Sequence, residues 1–187
     1  MKTLIIDNND SFTMNLAEYV FQICGSVPEV VNYKNINDSD FSEYTHIIIS
    51  PGPGLPEDFR ENFQMLSKYA STKKILGVCM GMQIIAAFFG AKLRNLDSPL
   101  HGAASDIFLQ NEDVLFRNIN FPCKVGRYHS WVIDSGTLPE CLRVTAALQD
   151  GTIMSVTHKN LNIRGVQFHP ESIITVEGKK MLRNWLL

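Results

Sequence analysis

Between residues 3 and 78 the chain alternates short apolar runs with amphipathic stretches of helical period, and this alternation is what most restricts its fold. Thr3-Leu4-Ile5-Ile6-Asp7 reads as a strand, and residues 12–23 as a helix with Leu16, Tyr19, Val20 and Ile23 on one face. Asp10 or Ser11 can cap that helix and Gly25 can end it. A strand over residues 29–33, the buried-type strand His46-Ile47-Ile48-Ile49, a helix over residues 58–70 and a strand through Lys74-Ile75-Leu76 follow. Alternation of strand and helix of this kind implies right-handed crossovers, hence an α/β fold with an open, mostly parallel sheet and flanking helices.

The second half has another character. From Lys92 to Gln167 the candidate strands are joined by turn signals such as Asp150-Gly151 with little helical period, which predicts antiparallel ribbons attached to the sheet. A last amphipathic helix over residues 177–187 is expected to pack back on the core. There is no internal repeat or linker, and 187 residues suit one domain spanning 1–187.

Composition excludes several function classes. A formal charge of -2 with no basic cluster argues against nucleic acid as a partner. No apolar run approaches the roughly 18 residues of a membrane span. The start at Met1-Lys2 leads directly into a strand, without the charged and apolar segments of a leader, so a cytoplasmic location is expected. Cys24, Cys79, Cys123 and Cys141 are scattered with no C-x-x-C pair, which suits a reducing compartment and suggests neither metal nor organic cofactor. Asn9-Asp10-Ser11 and Asn37-Asp38-Ser39 match the glycosylation sequon, a match read as chance.

Chemistry enters at Gly77-Val78-Cys79-Met80-Gly81. A cysteine between two glycines, after a strand and before the apolar helix-like run 80–89 that closes at Gly90, has the spacing of a nucleophile elbow. Backbone N–H groups and the dipole at a helix start favour a thiolate. In isolation such a cysteine is as compatible with an inert core position, so a base is required elsewhere. Of His46, His101, His129, His158 and His169, His46 opens a buried strand and reads as structural, and His158 lies in a turn and reads as solvated. His169, in Gly165-Val166-Gln167-Phe168-His169-Pro170-Glu171-Ser172, is delivered to a strand end by Pro170, and Glu171 is near enough to orient it. The rigid loop Ser50-Pro51-Gly52-Pro53-Gly54-Leu55-Pro56 follows another strand and offers an oxyanion pocket. Ligands of open parallel sheets sit beyond such strand ends.

These blocks, with Asp7-Asn8-Asn9-Asp10-Ser11-Phe12-Thr13 and Arg127-Tyr128-His129-Ser130, make the chain resemble, over essentially its full length, the class I (triad) glutamine amidotransferases, which have a flavodoxin-like sheet. The likeness is to component II of anthranilate or aminodeoxychorismate synthase. The resemblance implies that Cys79, His169 and Glu171 form a triad that hydrolyses glutamine to glutamate and ammonia. It further implies oxyanion donors at Gly52 and Met80, with Pro53 and Gly54 in the same loop, and glutamine-binding positions at Gln83, Ser130 and Trp131. Glutamine is then the substrate, and a separate chorismate-binding synthase, component I, is the partner receiving ammonia. Because the chain stops at Trp185-Leu186-Leu187, that second activity is expected on another polypeptide.

Two positions depart from the family pattern. Met82 stands where histidine is usual, on a different helix face from Cys79, and Trp131 stands where leucine is usual. Altered packing and a narrower site mouth are the expected consequences. A noncatalytic regulatory subunit with the same fold, and a stand-alone cysteine hydrolase of γ-glutamyl or peptide substrates, are the competing readings. The intact triad disfavours the first, while glutamine-analogue labelling of Cys79 distinguishes the second.

Overall fold

A computed structural model of the chain describes residues 2–38 and 40–187; Met1 and Ser39, and with Ser39 the end of the second sequon, lie outside the described residues. The elements are β1 (Thr3–Asp7), α1 (Thr13–Cys24), β2 (Glu29–Asn32), β3 (His46–Ile49), α2 (Arg60–Tyr69), β4 (Lys74–Val78), α3 (Met80–Phe88), β5 (Leu93–Asn95), β6 (Ala103–Leu109), β7 (Cys123–Arg127), β8 (Trp131–Ile133), β9 (Leu142–Ala147), β10 (Ile153–His158), β11 (Ile163–Val166) and α4 (Gly178–Leu186). Nine strands form one sheet in the order β2-β1-β3-β4-β11-β10-β9-β6-β7, and β5 pairs with β8 separately. The first five strands in that order run parallel, and β10, β9, β6 and β7 extend the sheet with antiparallel pairings. Among the described residues no helix is long and apolar enough to cross a membrane.

Apolar strands need cover on both faces, and alternation along β1 and β3 provides it. Ile5 and Ile48 pack with Leu16, Ala17 and Val20 of α1 and with Met181, Leu182, Trp185 and Leu186 of α4. Their neighbours Leu4, Ile6, Ile47 and Ile49 face the other way, toward Met65, Leu66 and Tyr69 of α2 and Ile84 and Ile85 of α3. Helix α3 also turns Met82 and Ala86 toward a third cluster with Ile133, Leu142, Ile153 and Val156.

Several expectations shift in detail. Neither Asp10 nor Ser11 is the N-cap of α1: Phe12 takes that position without a side-chain cap, while Asp10 Oδ1 accepts the Phe12 N–H at 2.8 Å. Gly25 does end the helix, left-handed at φ 71°, donating its N–H to the Phe21 carbonyl. The second helix begins at Arg60 rather than 58, because Pro56–Asp58 form a separate 3-10 turn whose Asp58 carboxylate accepts the Leu55 N–H. Strand β2 stops at Asn32, where Tyr33 opens another 3-10 turn. Strand β11 is more than part of a ribbon: antiparallel to β10 on one edge, it lies parallel to β4 on the other, with Gly77↔Gly165 and Val78↔Val166 in register.

That register is accessible only because α3 lies very close to the sheet. A Cβ on Gly77 would stand 2.3 Å from the Gly81 carbonyl carbon, and one on Gly81 would stand 2.2 Å from the Ile49 carbonyl oxygen. Gly165 faces Met82, whose Cγ would lie 2.6 Å from an added Cβ. The two glycines of the cysteine motif are therefore a packing requirement of the strand-helix junction.

At the opposite end of β3, His46 is buried, with its ring edge-on to Trp185 at 5.1 Å and Nδ1 2.8 Å from Thr45 Oγ1, while Nε2 has no partner. The structural reading of His46 holds for one nitrogen only. Burial, then the charge of Lys74, lowers its pKa to about 4.

Two stability measurements follow. Gly81→Ala is expected to cost about 1–3 kcal/mol or more as overpacking against rigid backbone, seen as a fall in the urea midpoint. Gly136→Ala, whose Cβ meets nothing closer than 3.5 Å, should change stability by less than about 0.5 kcal/mol. The pH effect of His46 has a definite sign: the unfolded imidazole titrates near about 6.5 and the folded one near about 4, so its stabilising contribution is complete above the first value and declines as pH falls toward the second. The urea midpoint of the parent should fall between pH 7.5 and 5, and fall less in His46→Asn.

Candidate active site

Four loops meet beyond the carboxyl ends of β1, β3, β4 and β11. Cys79, the first residue after β4, has φ 52° and ψ -102°, an unusual conformation for a residue with a side chain. It is pinned on both sides, its N–H donating to the Val166 carbonyl at 2.7 Å and its carbonyl accepting from Gln83 N at 3.2 Å. Met80 N opens the first turn of α3, where backbone donors have no intrahelical acceptor. The thiol is thus presented at a helix start, as the motif predicts, and is 5% exposed.

The β4–β11 register sets Gln167 beside Cys79 and His169 two residues further on. His169 Nδ1 is 2.7 Å from Glu171 Oε1, and both side chains are almost fully buried. Burial disfavours the imidazolium, but the nearby Cys79 sulfur and the hydrogen bond to Glu171 outweigh it and raise the His169 pKa. Burial raises the Glu171 carboxyl, and the His169 hydrogen bond opposes that shift. With Nδ1 engaged, the buried Nε2 has no hydrogen-bond partner, so it is the nitrogen left for proton exchange.

The loop between β7 and β8 and the turn before α1 hold this imidazole. Phe12 and Tyr128 pack edge-on against it with centroids 5.0 and 4.9 Å away. Phe12 is aimed by the Asp7–Thr13 block: Asp7 Oδ1 accepts from Asn9 N, Asp10 N and Thr13 Oγ1. Thr175 Oγ1 donates to the His169 carbonyl at 2.7 Å and accepts from Gly126 N at 2.9 Å, tying the strand end to β7. Asn8 steadies the Pro-Gly loop, its N–H donating to Ser50 Oγ and its Nδ2 to the Ser50 carbonyl, each at 2.9 Å. A Cβ on Gly52 would stand 2.7 Å from Asn8 Cβ, so that loop requires glycine for close approach.

A hollow of about 190 Å³ is lined by Cys79, Gly52, Pro53, Gly54, Met80, Gln83, Ser130 and Trp131, together with Pro99, Leu100, Tyr128 and His129. Every binding position expected from the sequence therefore lies around one cavity. It is smaller than the roughly 300–1,000 Å³ of drug-sized pockets, which suits one small metabolite. A larger hollow of about 590 Å³, bordered by Asp113, Arg143, His158 and Arg164, has no cysteine in its lining. Gln83 is largely committed within the wall: its Nε2 donates to the Trp131 carbonyl at 2.8 Å and to Gln167 Oε1 at 3.1 Å.

The remaining histidines separate clearly. His101 is exposed at Tyr128. His129 is buried, accepts from Arg127 Nε at 3.2 Å and faces the Trp131 carbonyl through Nδ1; burial, then Arg127, lowers its pKa to about 3. His158 is not simply solvated, since Nδ1 accepts the N–H groups of Asn160 and Leu161 and shapes the β10–β11 turn. Gln167, Phe12, Tyr128 and Thr175 are absent from the site expected by sequence. Gln167 lies just past β11, which ends at Val166, and the long-range pairing of β11 with β4 sets it beside Cys79.

Comparison with known proteins identifies the family. The model of the family described as glutamine amidotransferase class-I matches residues 4–187. The aminodeoxychorismate synthase component 2 of Klebsiella aerogenes is 40% identical, covering 98% of each chain. The anthranilate synthase component 2 of Pseudomonas aeruginosa is also 40% identical, over 98% of this chain and 94% of its own. A crystal structure of a glutamine amidotransferase from Thermotoga maritima superposes with a TM-score of 0.78 over 100% of this chain and 96% of its own; at 15% identity it speaks for the fold alone. With the match spanning nearly every residue and full-length relatives at this identity, the chain belongs to the class-I glutamine amidotransferase family.

Proposed function

We propose that the chain acts as one amidotransferase unit, residues 1–187, in which Cys79, His169 and Glu171 are the catalytic triad. The observation that carries the reading is the cavity: the thiol of Cys79 opens into a hollow sized for one small metabolite, with Glu171-bound His169 behind it. Cys79 Sγ gives its proton to His169 Nε2 and attacks the side-chain amide carbon of glutamine, forming a C–S bond while the carbonyl oxygen becomes an oxyanion facing the N–H groups of Gly52 and Met80. His169 Nε2 delivers its proton to the amide nitrogen, the C–N bond breaks and ammonia leaves. The same nitrogen then takes a proton from water, whose oxygen attacks the thioester; the C–S bond breaks, the proton on Nε2 returns to Cys79 Sγ, and glutamate is released. Glu171 holds the imidazole in the required tautomer throughout. Ser130, Gln83 and the backbone at Trp131, with Pro53 and Gly54 opposite, grip the rest of the substrate.

The ammonia is delivered to a separate synthase that uses chorismate, in the cytoplasm. Support for this partner is the equal similarity to component 2 proteins of two such synthases. In this reading the product, anthranilate or aminodeoxychorismate, is set by the partner, and equal identity to both kinds of relative is compatible with one subunit serving both. Water converts free ammonia to ammonium, which is not a nucleophile, so a physically docked acceptor is the chemical requirement.

Cys79→Ser is expected to lower glutamine-dependent glutamate release by about 10⁴-fold or more, while the variant with its synthase still forms aminated product from ammonium salts. Equal glutamate release by variant and parent in the assembled complex would sink the assignment. Glu171→Gln should reduce kcat by up to about 10⁴-fold, the consequence of losing the tautomer-fixing acceptor, with little change in KM. Mass spectrometry of the product made from chorismate and glutamine with the co-purified partner identifies the pathway.

A further inference from the structure

A chain of buried and partly buried hydrogen bonds runs from Arg127 to the sulfur of Cys79, and the direction of each bond is dictated by chemistry. Arg127 is a donor only, so its Nε–H at 3.2 Å makes His129 Nε2 an acceptor and leaves the proton on Nδ1. That Nδ1–H faces the Trp131 carbonyl at 3.1 Å. A carbonyl only accepts, so Gln83 must turn its nitrogen, and not its oxygen, toward Trp131. The second hydrogen of Gln83 Nε2 goes to Gln167 Oε1 at 3.1 Å. The amide of Gln167 is thereby oriented with Nε2 toward Cys79 Sγ, 3.6 Å away, a distance in keeping with the larger radius of sulfur.

We propose that Gln167 is a further residue of the reaction centre, whose side-chain amide donates to Cys79 Sγ, fixes the sulfur's position and favours its negatively charged form. The proposal rests on the reading of Cys79 as nucleophile. Gln167 is fully buried and does not line the substrate cavity, so it acts on the sulfur and not on glutamine. A donor aimed at sulfur is bound more strongly by the anion than by the neutral thiol. Val166, the preceding residue, holds the Cys79 N–H through its carbonyl, so two consecutive residues of one strand end grip the nucleophile by backbone and side chain. The sulfur consequently has Gln167 as a permanent donor, leaving His169 Nε2 free for the proton that must move.

The test uses Gln167→Met, which keeps the length of the side chain without a donor, and Gln167→Glu, which sets a carboxylate against the sulfur. The rate constant for iodoacetamide alkylation is read at Cys79 alone, by mass spectrometry of its peptide at pH 7, together with kcat and KM for glutamine per titrated thiol. Alkylation should slow about tenfold in the Met variant, the scale of one lost hydrogen bond to a charged group, and further in the Glu variant, with kcat falling alike and KM within about twofold of the parent. A merely structural role moves the readout the other way, since loosening the core exposes the buried thiol and speeds alkylation. Alkylation as fast as the parent's or faster overturns the proposal, and so does failure of both variants to fold, which would assign Gln167 to the core. Cys79→Ser separates the two levels: undiminished glutamate release there overturns the nucleophile itself, whatever the Gln167 variants do.

Discussion

The close seating of α3 against the sheet is the constraint from which the site follows. Gly77 and Gly81 leave no room for a side chain between helix and strands, and Gly165 accepts the body of Met82. With the helix this near, the chain has a single residue in which to turn from β4 into α3, and that residue is Cys79 at φ 52°. Such a conformation costs about 1–3 kcal/mol in a residue with a Cβ. The surrounding hydrogen bonds to Val166 and Gln83 hold it there. The strained geometry does two things at once: it lifts the thiol out of the strand, and it leaves the first N–H of the helix next to it.

The partner imidazole is placed by the opposite means. Where Cys79 is held by close backbone packing, His169 is held by polar bonds and rings: Glu171 on Nδ1, Thr175 on its carbonyl, Phe12 and Tyr128 along its edges. Burying an ionisable pair is costly unless each member has a partner, and here each is the other's. Removing the carboxylate therefore does more than loosen the ring, because an imidazolium left alone in that position has lost what stabilises it. The two halves of the site meet beyond the parallel pairing of β4 with β11, Cys79 following the first strand directly and His169 standing three residues past the second.

Local sequence rules reached the elements that depend on local chemistry. Alternation exposed β1 to α3, the glycine spacing exposed Cys79, and the pairing with Glu171 exposed His169, although β11 ends at Val166, three residues before it, and is not stopped by Pro170. What they missed depends on pairing between distant segments. The insertion of β11 beside β4 is a long-range pairing with no signal in either strand alone, and the position of Gln167 becomes clear only once that register is known. Phe12 was hidden behind Asp10 and Ser11, which look like caps; in the fold their polar groups serve the turn that delivers Phe12 to His169. His158 looked solvated because its segment reads as a turn, yet it is the last residue of β10 and its ring nitrogen organises the turn that follows.

The departure at position 82 shows why a change next to the nucleophile can leave the chemistry alone. Successive residues of α3 point about 100° apart, so Gln83 reaches the cavity wall while Met82 faces Gly165 and the cluster of Ala86, Ile133, Leu142, Ile153 and Val156. That cluster is apolar throughout, and an unbranched thioether fills the space above Gly165 without asking for a hydrogen bond. A ring with two nitrogens at the same point would need polar partners from those neighbours. Trp131 differs in kind: its carbonyl accepts from Gln83 and faces His129 Nδ1, while its side chain lines the cavity. The backbone function at 131 is indifferent to the side chain it carries, so exchange there alters the shape of the cavity mouth while the polarity of the hydrogen-bond chain to Cys79 is kept.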